Sequence, residues 1–392
     1  MRVVEELALQ RKRYPHLTDE EWRFMLQQIE GRARTRDKLP TFATIENWWY
    51  PVRLSCEQCS SELTARHKAK LIGNAAEPPQ VRGKRVFVDL TGGYGVDTYF
   101  ISKLFDEVHY VERNEELCRI ARHNFSTYRP HIQVHNTHAE KFLLENKAIG
   151  KNCTVFIDPA RRDQNGGKVF RLEDCEPNVV TLLPTMRQAR QIVLKLSPML
   201  DITAALRSLQ MEFDVHIVAV KNEVKEVLLV QSIDSTKIHA TNLLPTASPV
   251  AYEQQDFVFT QEEERLACCA MYSHENAHLA NIGGYVYEPN AAIIKAGAYK
   301  LVANRYGLCK MAPHTHLYIA DHLVEGFPGR VWQIVETNVK SAKDIVANIM
   351  TRNYPLTPEQ LRKKLKIKDN DAYTIIGARL GDKPTLLLCK KV

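Results

Sequence analysis

Three segments of the chain carry residues whose types and spacing suit chemistry on a bound small molecule. In Val86-Phe-Val-Asp89-Leu-Thr-Gly-Gly93-Tyr-Gly95-Val-Asp97, an apolar run delivers an acid, then a glycine turn ahead of a helix-length segment. Glycine at 93 and 95 lets the backbone approach a ligand with no Cβ in the way. Seventeen positions after Gly95, Val108-His-Tyr-Val111 delivers Glu112. A carboxylate at the end of a second strand is placed to accept both ribose hydroxyls of an adenosine-containing cofactor. Dinucleotide-binding proteins share this layout, but Thr98 stands where their third glycine would be, so close approach of a helix to a pyrophosphate is not expected. The third segment, Val155-Phe-Ile-Asp158-Pro159-Ala160-Arg161-Arg162-Asp163, puts an acid at the end of another apolar run, where open parallel sheets bind their ligands. Asp158 is expected to orient an acceptor or take its proton, and Arg161 or Arg162 to hold a nearby phosphate or base edge.

Two rival patterns are weaker. His274-Glu275-Asn-Ala-His278 has the spacing of two zinc-binding histidines flanking a general base, but Asn281-Ile-Gly-Gly ends any helix soon afterwards and no third-ligand context follows. Cys56-Glu-Gln-Cys59 lacks a second pair of comparable spacing. No metal is expected.

The elements that must position these residues follow from periodicity. Residues 1–80 are predicted to be helical: Thr18-Asp-Glu-Glu21 is a capping pattern and Ser61–Lys70 a second helical run. After the turn-rich Glu77-Pro-Pro-Gln-Val-Arg-Gly83, short apolar runs near residues 85–90, 107–111, 131–135, 154–157 and 191–196 alternate with helix-length segments, which predicts a parallel sheet with helices on both faces. Residues 213–220 and 226–231 are too close for a crossover helix and are predicted to be antiparallel. Residues 243–250 look like a linker. An intermediate α+β segment is expected at 233–329 and a small α+β module at 330–392, with strands near 330–336, 372–378 and 385–389 and helices near 341–350 and 357–365.

Composition bounds the class. With 392 residues, 44% hydrophobic and 25% charged, the chain is an ordinary globular protein of roughly two to four domains, neither fibrous nor disordered. No window approaches the ~18 consecutive apolar residues of a membrane span, and Glu5, Glu6 and Arg11–Arg13 interrupt the first residues before a signal-peptide core accumulates. Nine cysteines, an odd number, fit free thiols in a reducing compartment, so a cytoplasmic location is expected. The net charge of +7 is concentrated: residues 334–392 hold 12 basic and 6 acidic side chains. Arg362-Lys363-Lys364-Leu-Lys366-Ile-Lys368, with Tyr354 and Tyr373 nearby, is a candidate polyanion-binding stretch. The arginines at 32, 34 and 36 and Lys38 are balanced by acids and are read as solvated surface.

Five parallel strands followed by an antiparallel hairpin, with the glycine turn and Glu112, resemble the class I methyltransferases that use S-adenosylmethionine, over about residues 81–232. In that family an acid often follows the third strand and binds adenine. Asn136-Thr-His138-Ala139-Glu140 has histidine there, leaving the backbone around Ala139 or Glu140 as the adenine contact. Amine methyltransferases often carry Asp or Asn, Pro, Pro and an aromatic where this chain has Asp158-Pro159-Ala160-Arg161, while carbon-5 cytosine enzymes need a cysteine in that loop, which is absent. The loop resembles that of a bacterial methyltransferase family with a C-terminal THUMP-like domain. So do Ser60–Ala69, Leu194-Lys-Leu-Ser-Pro198, Tyr287–Ala296, Phe327-Pro-Gly-Arg330 and Asn348–Pro355. The resemblance implies a Rossmann-like α/β fold and S-adenosylmethionine as cofactor, held by Asp89, Gly93, Gly95, Glu112, Ala139, Asp158 and Pro159. THUMP domains are RNA-binding modules, so it also implies RNA as the substrate class, and a base of tRNA or rRNA is the expected acceptor. The readings left beside it are a protein or small-molecule acceptor, and an RNA-binding protein that keeps the fold without turnover.

Overall fold

Strands buried on both faces are built from near-continuous apolar runs, because neither side of the ribbon meets water. That is the character of β1 (Val86–Asp89), β2 (Glu107–Glu112), β4 (Cys153–Ile157) and β5 (Gln191–Leu196), whose Phe87, Val88, Val155, Ile192, Val193 and Leu194 are inaccessible to solvent. With β3 (Ile132–Asn136) they pair in parallel in the order β3-β2-β1-β4-β5. The order places β1 and β4 side by side, with the chain leaving them in opposite directions across the sheet, and ligands of such sheets bind at that reversal.

The computed structural model describes residues 10–76, 83–146, 150, 152–160, 171–231, 236–246, 251–273, 275–339, 346–368 and 372–392. The fold is the Rossmann-like α/β class I arrangement. β6 (Phe213–Val220) turns through Lys221 and Asn222, both at positive φ, into β7 (Glu223–Gln231). Two left-handed residues match a tight hairpin to the twist of its strands. β7 lies antiparallel beside β5, with Leu229 opposite Leu194, and β6, β8 (Ile238–Pro245) and β9 (Tyr252–Phe259) complete the strand order.

The chain divides into two compact units, Met1–His216 with Lys225–Ser235 and Leu243–Glu253, and Ile217–Val224 with Thr236–Asn242 and Gln254–Val392. The helices before β1 belong to the first unit. Thr18 and Glu21 cap Asp19–Thr35 reciprocally, and Trp48 donates from Nε1 to the Tyr94 hydroxyl at 2.9 Å, tying this region to the glycine turn. Glu62–Ala76 forms the helix that ends at the predicted boundary.

The second unit contains β10 (Ala270–Met271), β11 (Tyr285–Pro289), β12 (Cys309–Ala312), β13 (Thr315–Ala320), β14 (Gly329–Thr337), β15 (Asn348–Arg352), β16 (Thr374–Leu380) and β17 (Lys383–Lys391). They form one sheet in the order β10-β12-β13-β11-β14-β17-β16-β15. The outermost strand β15 is four spacings from β11, about 19 Å on a flat sheet. Yet Arg352 of β15 donates from Nε to Glu288 of β11 at 2.7 Å, so the sheet curls back on itself around Val286, Leu317, Trp332, Ile334, Ile376 and Leu387.

Two expectations are corrected. Asn348–Arg352 is a strand paired with β16, where a helix near 341–350 was expected; 341–345 lie outside the described residues. The linker reading of 243–250 fails at its start, because Leu243 is fully buried within β8. In both places pairing in the sheet outweighs local turn and helix preference.

Candidate active site

A cavity of about 830 Å³ in the first unit opens over the carboxyl ends of β1, β2, β4 and β5. At its centre the glycine turn is shaped by what surrounds it. Gly93 and Gly95 have φ of +55° and +80°, and a Cβ on Gly95 would sit 2.6 Å from the Phe125 ring. A Cβ on Gly93 would meet only the Thr91 carbonyl, at 3.8 Å, so its space opens toward the cavity. Glu112, at the end of β2, faces this turn: one carboxylate oxygen accepts from the Gly93 N–H at 2.9 Å and the other from the Asn114 N–H at 2.8 Å. Two backbone donors hold the carboxylate still and leave lone pairs free for ribose hydroxyls.

Asp89 is the buried foundation of the turn. Its oxygens accept from the Thr91 N–H at 3.0 Å and from the Thr98 hydroxyl at 2.5 Å. Burial pushes its carboxyl up to about 7 against the pull of those two bonds. Asp89 therefore acts chiefly through Thr91, whose hydroxyl accepts from the Asp158 N–H at 2.7 Å and so joins the ends of β1 and β4. Asp158 and Pro159 line the cavity, as do His138, Ala139 and Glu140 at the start of the helix Ala139–Glu145. Arg161 and Arg162 lie outside the described residues.

Asp158 does not stand alone. Its carboxylate is bonded to the ammonium of Lys195, at the end of β5. Behind them, Lys68 on the helix Glu62–Ala76 donates to both oxygens of Glu226 on β7, at 2.6 and 2.8 Å, and lies 3.2 Å from Asp97, which also accepts from Ser60 at 2.7 Å. Lys68 is 0% exposed and Glu226 2%. Burial works against the Lys195 ammonium, but Asp158, Asp97 and Glu226 outweigh it and hold the group above the ordinary lysine range. Burial likewise pushes Glu226 up, against the opposing pull of Lys68 and Lys195. Six carboxyl groups, Asp89, Asp97, Glu112, Glu140, Asp158 and Glu176, line the cavity against three cations, Arg113, Lys195 and Lys225. That surplus suits a positively charged ligand.

Residues 285–328 match a ferredoxin-like domain family, and residues 329–391 a THUMP domain-like family. A crystal structure from Porphyromonas gingivalis W83, named only as a methyltransferase, is 33% identical, with a TM-score of 0.81 over 96% of this chain and 92% of that one. The chain belongs to the S-adenosylmethionine-dependent methyltransferases with a C-terminal THUMP-like domain. A relative in Mycobacterium tuberculosis (strain ATCC 25618 / H37Rv), named an uncharacterized S-adenosylmethionine-dependent methyltransferase, is 21% identical over 85% of both chains.

S-adenosylmethionine is the cofactor of this methyltransferase, and the site fits it. The open space at Gly93, the anchored Glu112 and the surplus of carboxylates suit an adenosine group that carries a sulfonium charge. When bound, it supplies an electrophilic methyl group. Glu112 would hold its ribose, the backbone at Ala139 its adenine, and the turn from Asp89 to Gly95 its amino-acid portion.

Sequence reasoning missed Lys195, Lys68 and Glu226, and it missed the cavity wall made by Leu54, Ser55, Gln58, Cys59 and Ser60 ahead of the sheet. Lys195 left a trace, a lone cation in the apolar run Gln191-Ile-Val-Leu-Lys-Leu196. Cys59 enters the cavity from the N-terminal helices, but its Sγ donates to the Cys56 carbonyl at 3.2 Å and burial pushes its thiol up. His274 of the zinc pattern lies outside the described residues, and His278 sits exposed on a single 3-10 turn, Ala277–Ala280. In the second unit Lys363, Lys364, Lys366 and Lys368 are exposed on and after the helix Pro358–Leu365, and Arg362 is half-buried there.

Proposed function

We propose that this methyltransferase modifies RNA. The reading rests on one observation above the others: a single cavity at the strand ends is lined by Glu112, which we assign to the cofactor, and by the Asp158–Lys195 pair, which we assign to the acceptor. Holding them there supplies much of the acceleration, because a methyl transfer needs its nucleophile in line with the leaving group. RNA as partner is supported by the THUMP domain-like match over 329–391 and by the exposed lysines at 363, 364, 366 and 368. Within RNA, the sequence reading is a base of tRNA or rRNA, with Asp158 and Arg161 as the catalytic groups and Arg162 binding the substrate. We place the protein in the cytoplasm, where its nine thiols would stay reduced. Among the described residues no helix is long and apolar enough to cross a membrane.

The test is transfer of label from methyl-tritiated S-adenosylmethionine to RNA isolated from cells lacking this gene. Acid-precipitable label that ribonuclease releases is the expected result. Label that appears only in protein or in small molecules moves the acceptor class.

A further inference from the structure

The atoms around Asp158 discriminate between acceptor atoms. An exocyclic amine of a base becomes a better nucleophile when its N–H groups are accepted by oxygens, and its nitrogen becomes more positive as the methyl arrives. A site for it therefore wants acceptors and no nearby cation. Here the carboxylate is paired with an ammonium, which has three donors and no acceptor. A hydroxyl has the opposite needs. Its O–H must be accepted, its lone pairs can be donated to, and its oxygen gains negative charge as the proton leaves. A carboxylate and an ammonium side by side meet all three.

The pair is built into the fold. Lys195 is the only lysine of β5, it stands at the strand end that faces the cavity, and both it and Asp158 line that cavity. Beyond them the carboxylates of Asp97 and Glu226, both bound to the buried Lys68, add to the pull of Asp158 on the ammonium and keep it protonated. RNA carries a hydroxyl at the 2′ position of every nucleotide, the group by which proteins tell it from DNA.

We infer that the acceptor is a ribose hydroxyl of RNA, held between Asp158 as proton acceptor and Lys195 as hydrogen-bond donor to the attacking oxygen. The new bond joins that oxygen to the methyl carbon as the sulfur–methyl bond breaks. The electron pair stays on sulfur, which becomes a neutral thioether, and the hydroxyl proton passes to the Asp158 carboxylate and from there to water. The inference rests on the RNA reading above and replaces the base by the sugar as the modified group.

Alkali separates the two. Hydrolysis of RNA uses the 2′-hydroxyl, so a methylated ribose protects the adjacent linkage, whereas a methylated base does not. After labelling RNA from cells lacking the gene with the full-length protein, alkaline digestion should leave the label in dinucleotides. Label in mononucleotides overturns the hydroxyl assignment and leaves the RNA reading intact. No label in RNA, from a protein shown by calorimetry to bind S-adenosylhomocysteine, overturns both. Lys195→Met should reduce transfer on the order of 100-fold, with S-adenosylhomocysteine affinity within about threefold, and Lys195→Arg should recover part of the loss. Wild-type transfer by Lys195→Met overturns the role of the ammonium. Should that variant fail to fold, the digestion of RNA labelled by the wild-type protein decides alone.

Discussion

Glu112, Asp158 and Asp89 are three carboxylates within one cavity wall, and their partners assign them different work. Glu112 is anchored by two backbone N–H groups and faces the glycine turn. Glu112→Ala should therefore lose most S-adenosylhomocysteine affinity by calorimetry, by about 1.5–3 kcal/mol for hydrogen bonds to a charged acceptor. Asp158 is bonded to Lys195 where we place the acceptor. Asp158→Ala should keep cofactor affinity within a few fold and lose most methyl transfer, the signature of a contact that matters in the transition state. Asp89 is held up to about 7 by burial, whereas an unfolded aspartate titrates near about 3.9. Between those values the folded state binds more protons than the unfolded state, so Asp89 makes stability fall as pH rises from about 4 to about 7. Asp89→Asn should flatten that part of the curve in urea denaturation. An unchanged difference between wild type and variant across the window would mean that Asp89 is ionised in the folded protein throughout.

The helix Glu62–Ala76 and strand β7 are joined by a bond that local sequence could not announce, because Lys68 and Glu226 are 158 residues apart. The parallel strands were legible, since burial on both faces writes itself as apolar runs. The glycine turn was legible because its backbone conformation restricts the residue type. Lys195 and Lys68 were not, because a buried charge is explained only by its partner. The strand Asn348–Arg352 was misread for a related reason: its extended conformation comes from β16, more than twenty residues later. The buried pair yields a prediction at this scale. Lys68→Met should destabilise the protein by about 3–5 kcal/mol, because Glu226 is left buried without the cation that donates to both its oxygens. Lys68→Met combined with Glu226→Gln should restore much of that loss in thermal melts, since neither buried charge remains. A double variant no more stable than Lys68→Met would show that the pair contributes more than mutual compensation.

For the molecule as a whole, charge separates the recognition of RNA proposed above from binding of the cofactor. The exposed cations Lys363, Lys364, Lys366 and Lys368 belong to the second compact unit, and the cofactor cavity to the first. Changing all four to alanine should weaken binding to unrelated RNA sequences alike and lower the slope of log affinity against log salt by roughly 0.7–0.9 per lost phosphate contact. S-adenosylhomocysteine affinity should not move. A salt slope that ignores these substitutions would leave them as solvated surface and place the RNA contacts elsewhere on the chain.

The ion pairs at Glu288 carry a consequence for how this protein can be divided. Glu288 is 5% exposed and lies in the segment that matches the ferredoxin-like family, whereas its partners Arg330 and Arg352 lie in the segment that matches the THUMP-like family. Gly329, the first residue of the latter, packs so closely on β11 that a Cβ there would stand 2.1 Å from the Glu288 carbonyl. The border between the two families therefore runs through a continuous hydrogen-bonded ladder, and a gene cut at that border would release two fragments with raw sheet edges, one of them burying an acid that has lost both its cations. The two segments therefore share one folded sheet, and a fragment meant to carry the THUMP-like segment intact has to begin before β11.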